Sequence, residues 1–260
     1  MTTITFNGTN LSTFGNVTVL DDYLDVPERR GQNQVIPFRD GAVFVEKLFN
    51  ERSIIVGIAV LKTTLAALET TMGTMRALFA PSTQKTLSFT YEDATVRTAQ
   101  ASVEKPIQVK RMGTTAARVV VEFSVPSALF RLSTAITDNT TTINANPTAM
   151  VVTNPGTAVE RDPTITLTGP LSNTVITNST NGSILTYTGT IASPRIVTIS
   201  TSSSGEYVAT DDLAASKIGN VSHSGSTSLL LINVGTNNLS IADDTATTGT
   251  VKVGFNAPFV

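Results

Sequence analysis

The 260-residue chain has no cysteine, which removes disulfide frameworks, Cys-zinc sites and thiol catalysis together. Tryptophan is also absent and aromatic residues amount to 6%. A single histidine, His223, is the one imidazole through which any Ser-His-Asp relay or His-bound metal would have to pass. Charge of one sign is lacking too: 18 Lys+Arg against 20 Asp+Glu leave −2, so the overall field does not draw the chain to nucleic acid or to an anionic membrane. The longest apolar run, "SIIVGIAVL" from Ser53 to Leu61, is about half the length of a membrane span. No basic start followed by an apolar stretch opens the chain. The expectation is a soluble chain without a targeting address, without membrane insertion and without a cofactor.

What is present is unevenly shared. Residues 1–131 carry 14 Lys+Arg and 12 Asp+Glu, whereas 132–260 carry 4 and 8 and are rich in Thr, Ser and Asn. Such a shift marks two independently built units, and it places a boundary near Ser133, with domains 1–133 and 134–260. In the first, "TLSFTY" sets Leu87, Phe89 and Tyr91 on one side of a strand. "RVVVEFSV" does the same with Val119, Val121, Phe123 and Val125, leaving Arg118 and Glu122 on the other side. "VIPFRDGAVFV" reads as a projecting hairpin turning at Asp40-Gly41, with Pro37 confining its first arm to an edge. One helix is expected, Thr64 to Ala80, with a stripe of Leu65, Leu68, Met72, Met75 and Leu78 and a stop at Pro81.

The second half offers only strand signals: "TITLT" (164–168), "SILTYTG" (183–189), "RIVTIS" (195–200), "SLLLINV" (228–234), "LSIA" (239–242) and "TVKVGF" (250–255). Turn clusters separate them, among them Asn181-Gly182 and Gly235-Thr236-Asn237-Asn238, at the spacing of a β-sandwich. Asn154-Pro155-Gly156 turns the chain between "AMVV" and "TITLT" at the start of that second sheet system.

Candidate chemistry is sparse. His223 lies in "GNVSHSGST", which reads as a solvated turn; a catalytic role would need Asp211 and Ser224 to converge on it. The pairs Asp21-Asp22, Asp211-Asp212 and Asp243-Asp244 are in principle metal ligands or glycosidase carboxylates. Neighbouring side chains on a strand point to opposite faces, so turn chemistry is the simpler reading. Tyr187, Tyr207, Phe255 and Phe259 are the aromatics available for a sugar platform in the second domain, and packing in the core is their expected use. Arg29-Arg30 and Lys110-Arg111 are short basic clusters, read either as solvated strand ends or as rim contacts between subunits.

The order of the pieces then matters. "ITFNG", the hairpin around "IPFRDG", "SIIVGIAVL", one amphipathic helix, "LSFTY" and "VVVEFSVPSALFR" together resemble the N-terminal domain of siphophage distal tail proteins. "NPGTAVERDPTITLTGP" (154–170), "TNGSILTYTG", "RIVTIS", "VGTNNLSI" (234–241) and "TVKVGF" resemble that family's C-terminal galectin-like sandwich. The resemblance implies a mainly β protein: an N-terminal β-sandwich or barrel-like domain with one helix, then a galectin-like, jelly-roll β-sandwich. It implies a structural virion protein at the distal end of the tail, with no enzymatic role. Six copies would form a ring joining the tail tube protein to the tail-tip or baseplate hub protein and offering a platform for receptor-binding proteins. DNA would pass only in transit through the lumen. The expected subunit contact is the hairpin, Val35, Ile36, Pro37, Phe38, Arg39, Asp40, Gly41, Ala42, Val43 and Phe44, continuing to Glu46. The alternative is a carbohydrate-binding module contacting host surface glycans.

Overall fold

Long alternating apolar runs have one stable outcome here, paired strands with a buried face, and the computed structural model is accordingly mainly β with one α-helix. It describes residues 3–20, 26–31, 33–35, 40, 42–43, 48–202, 205–225, 228–245 and 248–260. The chain divides into two compact units, Met1–Ser133 with Val260, and Thr134–Phe259.

The first unit contains β1 (Thr3–Phe6), β2 (Thr9–Asn10), β3 (Asn16–Val19), β4 (Arg29–Arg30), β5 (Gln34–Val35), β6 (Ala42–Val43), β7 (Leu48–Phe49) and β8 (Arg52–Leu61). After them come α1 (Leu65–Phe79), β9 (Lys85–Thr90), β10 (Val96–Ala101), β11 (Gln108–Arg111), β12 (Ala116–Val125) and β13 (Phe130–Leu132). One sheet has the order β11-β12-β8-β3, and a second runs β2-β1-β9-β10-β13. Mutual hydrogen bonds between Ser102 and Ser124, 3.0 and 2.8 Å, join the two at a corner, which makes the unit barrel-like.

The β8–β12 ladder is the backbone of this unit, ten residue pairs from Ala116↔Leu61 to Val125↔Arg52. Its inner face is apolar except at one end: Ile54, Val56, Ile58 and Val60 meet Phe123, Val121, Val119 and Ala117, none more than 2% exposed, while Val125 faces Arg52, 5% exposed, whose guanidinium lies over the Phe130 ring. Helix α1 covers this face with Leu68, Met72, Met75 and Phe79. The stripe thus runs one position differently at each end from the sequence expectation. Leu65 is exposed because it sits in the first turn, next to the cap, and Phe79 takes the buried place at the far end. Thr64 is the N-cap, its Oγ1 accepting the Ala67 amide at 3.2 Å. Three phenylalanines bring the layers together: Phe6 of β1 and Phe123 of β12 have ring centroids 4.9 Å apart, and Phe79 lies 5.9 Å from the first and 6.0 Å from the second.

The second unit is two five-stranded antiparallel sheets. Its strands are β14 (Ile136–Thr142), β15 (Thr148–Asn154), β16 (Thr164–Thr168), β17 (Leu171–Asn178), β18 (Ser183–Ile191), β19 (Ile196–Thr201), β20 (Tyr207–Asp211), β21 (Val221–Ser224), β22 (Gly235–Ala242) and β23 (Thr250–Phe255). The orders are β14-β23-β16-β19-β20 and β15-β22-β17-β18-β21. This is the sandwich expected from the strand spacing, with three differences. Strands β14, β17, β20 and β21 carry too little apolar periodicity to be read from sequence. In β17 the cause is visible: a bulge between Ser172 and Thr174 breaks the alternation, so the buried positions are Leu171, Thr174, Ile176 and Asn178. Gly235-Thr236-Asn237-Asn238, expected as a turn, is the beginning of β22 and pairs with Val151–Asn154. "SLLLINV" is not a strand, although Leu229, Leu230 and Ile232 are buried.

That last segment is held by one isolated bridge, Ile232 and Glu160 exchanging hydrogen bonds of 2.9 Å each way, and by asparagines. The Asn178 Nδ2 donates to the Leu231 carbonyl at 2.7 Å and to Asn237 Oδ1 at 3.0 Å. The Asn181 Nδ2 reaches the same carbonyl at 3.0 Å, and the Asn154 Nδ2 bonds the carbonyls of Ala158 and Ile232 at 2.9 and 3.3 Å. Asn237 accepts the Asn233 amide at 2.9 Å and donates to the Asn233 carbonyl at 2.8 Å. Asn154, Asn178 and Asn237 are at most 1% exposed, so each amide group must be matched inside the protein, and each is.

Two substitutions test the packing of the first unit. Phe123→Ala removes the ring shared by both neighbours and is expected to cost about 3–5 kcal/mol. Gly73→Ala, where an added Cβ meets nothing within 4 Å, is expected to gain roughly 1 kcal/mol. Urea unfolding followed by circular dichroism reads both.

Candidate subunit-contact surface

A backbone that leaves donors and acceptors unpaired at a sheet edge is itself a binding surface, and the first unit has several. β11 closes one side of its sheet and β3 the other. All four residues of β11 are exposed, so neither of its faces nor its outer edge is covered within this unit. Around it Leu61 is 75% exposed, Met112 64% and Val109 42%. Lys110 and Arg111 lie on this strand, and Arg111 Nη2 meets Glu69 Oε1 of α1 at 3.3 Å. Both partners are more than half exposed, so the pair contributes little to stability and leaves the edge free to be read by another chain.

The projecting segment is built from two short ladders. β4 pairs with β7, Arg29↔Phe49 and Arg30↔Leu48, and the Asn50 amide extends it to the Glu28 carbonyl at 2.7 Å. β5 pairs with β6, Gln34↔Val43 and Val35↔Ala42. The hairpin expected here is therefore present in its pairing, with a different register. A turn at Asp40-Gly41 would set residue 39 against Ala42, whereas Val35 stands there, and the connection runs over residues 36–41. Of the expected contact residues, Val35, Asp40, Ala42 and Val43 are described, and Ile36, Pro37, Phe38, Arg39, Gly41 and Phe44 lie outside the described residues. Among the described residues neither ladder is joined to a larger sheet. A two-stranded ribbon of this kind is marginal by itself in water and gains most from a partner. Arg29 adds some local order by lying over the Phe49 ring, 5.2 Å from its centroid.

The groups singled out for chemistry do not assemble a site. His223 is on β21, opposite Leu185, rather than in a turn, and its ring contacts Tyr207 at 6.1 Å. Asp211 is engaged by the amides of Ala215 and Leu213 at 2.8 and 3.0 Å and by Lys217 and Arg195 at 3.4 and 3.5 Å. The Ala215 amide is the largest cause holding its carboxyl below the usual range. Asp212 pairs with Arg195 at 2.9 Å. Asp243 accepts from the Ser172 amide and the Thr174 hydroxyl at 2.9 and 2.8 Å and from the Thr245 amide at 3.0 Å. Both pairs are thus strand-end and turn chemistry, as expected, while Asp21 and Asp22 lie outside the described residues. Among the described residues no cluster of three or more His, Asp or Glu is placed to hold a metal. Tyr187, Phe255 and Phe259 are buried, which leaves Tyr207, half-buried, as the remaining candidate for a sugar platform in this unit. No described helix is long and apolar enough to cross a membrane.

Comparison with known proteins gives three findings. Residues 11–125 match the family described as phage tail protein RIFT-related domain. No curated protein matches the chain. Among solved structures, the Dit protein of phage SPP1, described as a paradigm of the hub adsorption apparatus in phages infecting Gram-positive bacteria, is 16% identical, with 100% of both chains covered and a TM-score of 0.68. Two structures of the phage P2 baseplate in its activated conformation, with Ca and with Sr, are 9% and 10% identical. They cover 100% of this chain and 99% of theirs, at TM-scores of 0.44 and 0.43.

The buried carboxylate makes a pH prediction. Burial raises the Asp243 pKa, but the Thr245 and Thr174 hydroxyls and the Ser172 and Thr245 amides outweigh it and hold the group below its ordinary value. The stability it contributes is present above the unfolded-state pKa of about 3.9 and is lost as pH falls through the depressed folded value. Thermal melts from pH 7 down to pH 3 should show that acid loss in the second unit. Asp243→Asn should flatten it while lowering stability at neutral pH by roughly 1–3 kcal/mol.

Proposed function

We propose, for a chain whose residues 11–125 match the phage tail protein RIFT-related domain and whose fold is similar along its length to that of a distal tail protein, that six copies close into a ring at the far end of a siphophage tail. The ring joins the tail tube protein to the tail-tip or baseplate hub protein. The first unit makes the ring, and the second stands outside it as a platform for receptor-binding proteins. DNA crosses the lumen without being held, in keeping with a nearly neutral chain.

The observation that carries this reading is the pair of edges left open among the described residues on one sheet, β11 on one side and β3 on the other. A head-to-tail contact uses two different surfaces of each copy, and rotation through six such contacts returns to the start. Edge-to-edge pairing satisfies backbone groups that otherwise face water, so it needs no special side chains. The ribbon of β4 to β7 adds a second contact with the next copy, the arm supplied by one subunit and the surface by its neighbour.

Electron microscopy of the purified full chain in negative stain is expected to show six-fold annuli, and a monodisperse monomer at every concentration would overturn the reading. Replacing residues 35–46 with a short Gly-Ser link is expected to leave circular dichroism intact and to reduce annuli at least tenfold. Annuli formed normally by that variant would remove the arm from the contact.

A further inference from the structure

Two Asn-Gly steps occur in the sequence, Asn7-Gly8 and Asn181-Gly182, and the fold gives them opposite surroundings. The dipeptide is chemically labile wherever the chain lets it close on itself. The glycine amide nitrogen, deprotonated by hydroxide, attacks the asparagine Cγ. The bond from Cγ to the side-chain nitrogen breaks, and that nitrogen takes a proton from water and leaves as ammonia, with a succinimide ring left behind. Water then opens the ring at either carbonyl, giving aspartate or isoaspartate, and nothing is oxidised or reduced. Glycine favours the attack because it has no Cβ to crowd the approach and few limits on φ. In a folded protein the rate depends on whether the side-chain amide can turn towards that nitrogen and whether the nitrogen is free.

Asn7 and Gly8 form the two-residue turn between β1 and β2, with Phe6 paired to Thr9 and φ of 48° and 76°. Those angles belong to a type I′ turn, for which Asn-Gly is a favoured pair. The hairpin therefore accounts for the dipeptide, and the lability comes with it. Both residues are exposed, and a Cβ added to Gly8 would meet nothing within 4 Å. The Asn7 backbone amide donates to the Thr86 carbonyl at 2.9 Å, but among the described residues its side chain and the Gly8 amide have no hydrogen-bond partner. Strand β2, two residues long, is the last on its side of the sheet among the described residues, so little has to move for the turn to open.

The second dipeptide is tied down at both reacting groups. Asn181 Oδ1 accepts the Ser183 amide at 3.0 Å and the Ser183 hydroxyl at 2.7 Å, while its Nδ2 donates to the Leu231 carbonyl at 3.0 Å and to Asn233 Oδ1 at 3.1 Å. The Gly182 amide, which would have to attack, donates to the Asn178 carbonyl at 2.7 Å. Turning the side chain towards that nitrogen breaks those bonds and withdraws a donor from the segment 228–234.

We infer that Asn7 is a site of spontaneous deamidation in the folded protein, leaving a carboxylate on the β1–β2 turn, whereas Asn181 is preserved by the bonds with which it anchors residues 228–234. The inference stands on these two turns and does not depend on the ring.

Incubating the full-length chain in mildly alkaline buffer, and following the two peptides by mass after proteolysis, tests this. In the folded chain the Asn7 peptide is expected to convert at least tenfold faster than the Asn181 peptide. In concentrated urea the two should convert at comparable rates, because the same dipeptide is then free in both. Asn7→Gly, which keeps a residue suited to positive φ, is expected to abolish conversion of the first peptide and leave the thermal melt unchanged. Equal rates in the folded chain, an Asn7 peptide that stays intact while the urea-unfolded chain converts, or conversion undiminished in the N7G variant would each overturn the assignment.

Discussion

The contact among Phe6, Phe79 and Phe123 is the constraint from which the first unit's surface follows. One ring comes from each sheet and one from the end of the helix, so the three layers can approach only in the arrangement that lets all three meet. Once that is set, the inner face of β8 and β12 is used up, and the faces and edges turned away from the helix are what remains for other molecules. The polar outer positions of the same two strands, Ser53, Glu122 and Ser124, are consequences of the same pleat that buries Ile54, Phe123 and Val125.

The second unit reaches a closed interior by other means. Its core is thinner in large side chains, and a whole segment, Ser228 to Val234, buries Leu229, Leu230 and Ile232 while pairing only through the single bridge of Ile232 to Glu160. Its carbonyls would be costly there if they were not met, and Asn154, Asn178 and Asn181 meet them. Two of the buried asparagines, Asn154 and Asn237, belong to the "NPGT" and "VGTNNLSI" stretches on which the family resemblance rests. Those motifs therefore have a physical meaning: a short amide can bond backbone two or four residues away and across the sandwich at once, which neither a hydrocarbon nor a longer side chain does.

Assembly, in this view, is a matter of backbone first and charge second. A chain with 18 basic and 20 acidic residues has no strong field with which to gather its copies, and its exposed ion pairs are individually weak. In the ring proposed above, unpaired strand edges would provide affinity without sequence specificity, and the few charged groups near them would decide which edge meets which.

By itself the sequence determined the mainly β class, the helix to within a residue of each end, the inner faces of β9 and β12 and the positions of β16 and β23. All of these depend on contacts a few residues apart, through period-two or period-3.6 alternation and a Thr cap. It also contained the arm as a pairing of two short stretches. Only the tertiary structure decided the rest. The bulge at Ser172–Thr174 shifts the phase of β17, so a buried strand reads as irregular. The apolar run 228–234 looks like a strand because burial is visible in composition, while the partners of its carbonyls, 50 to 78 residues away, are not. Likewise, nothing in "QVKR" says that β11 ends a sheet. Edge position is a property of distant neighbours, and a linear pattern records only near ones.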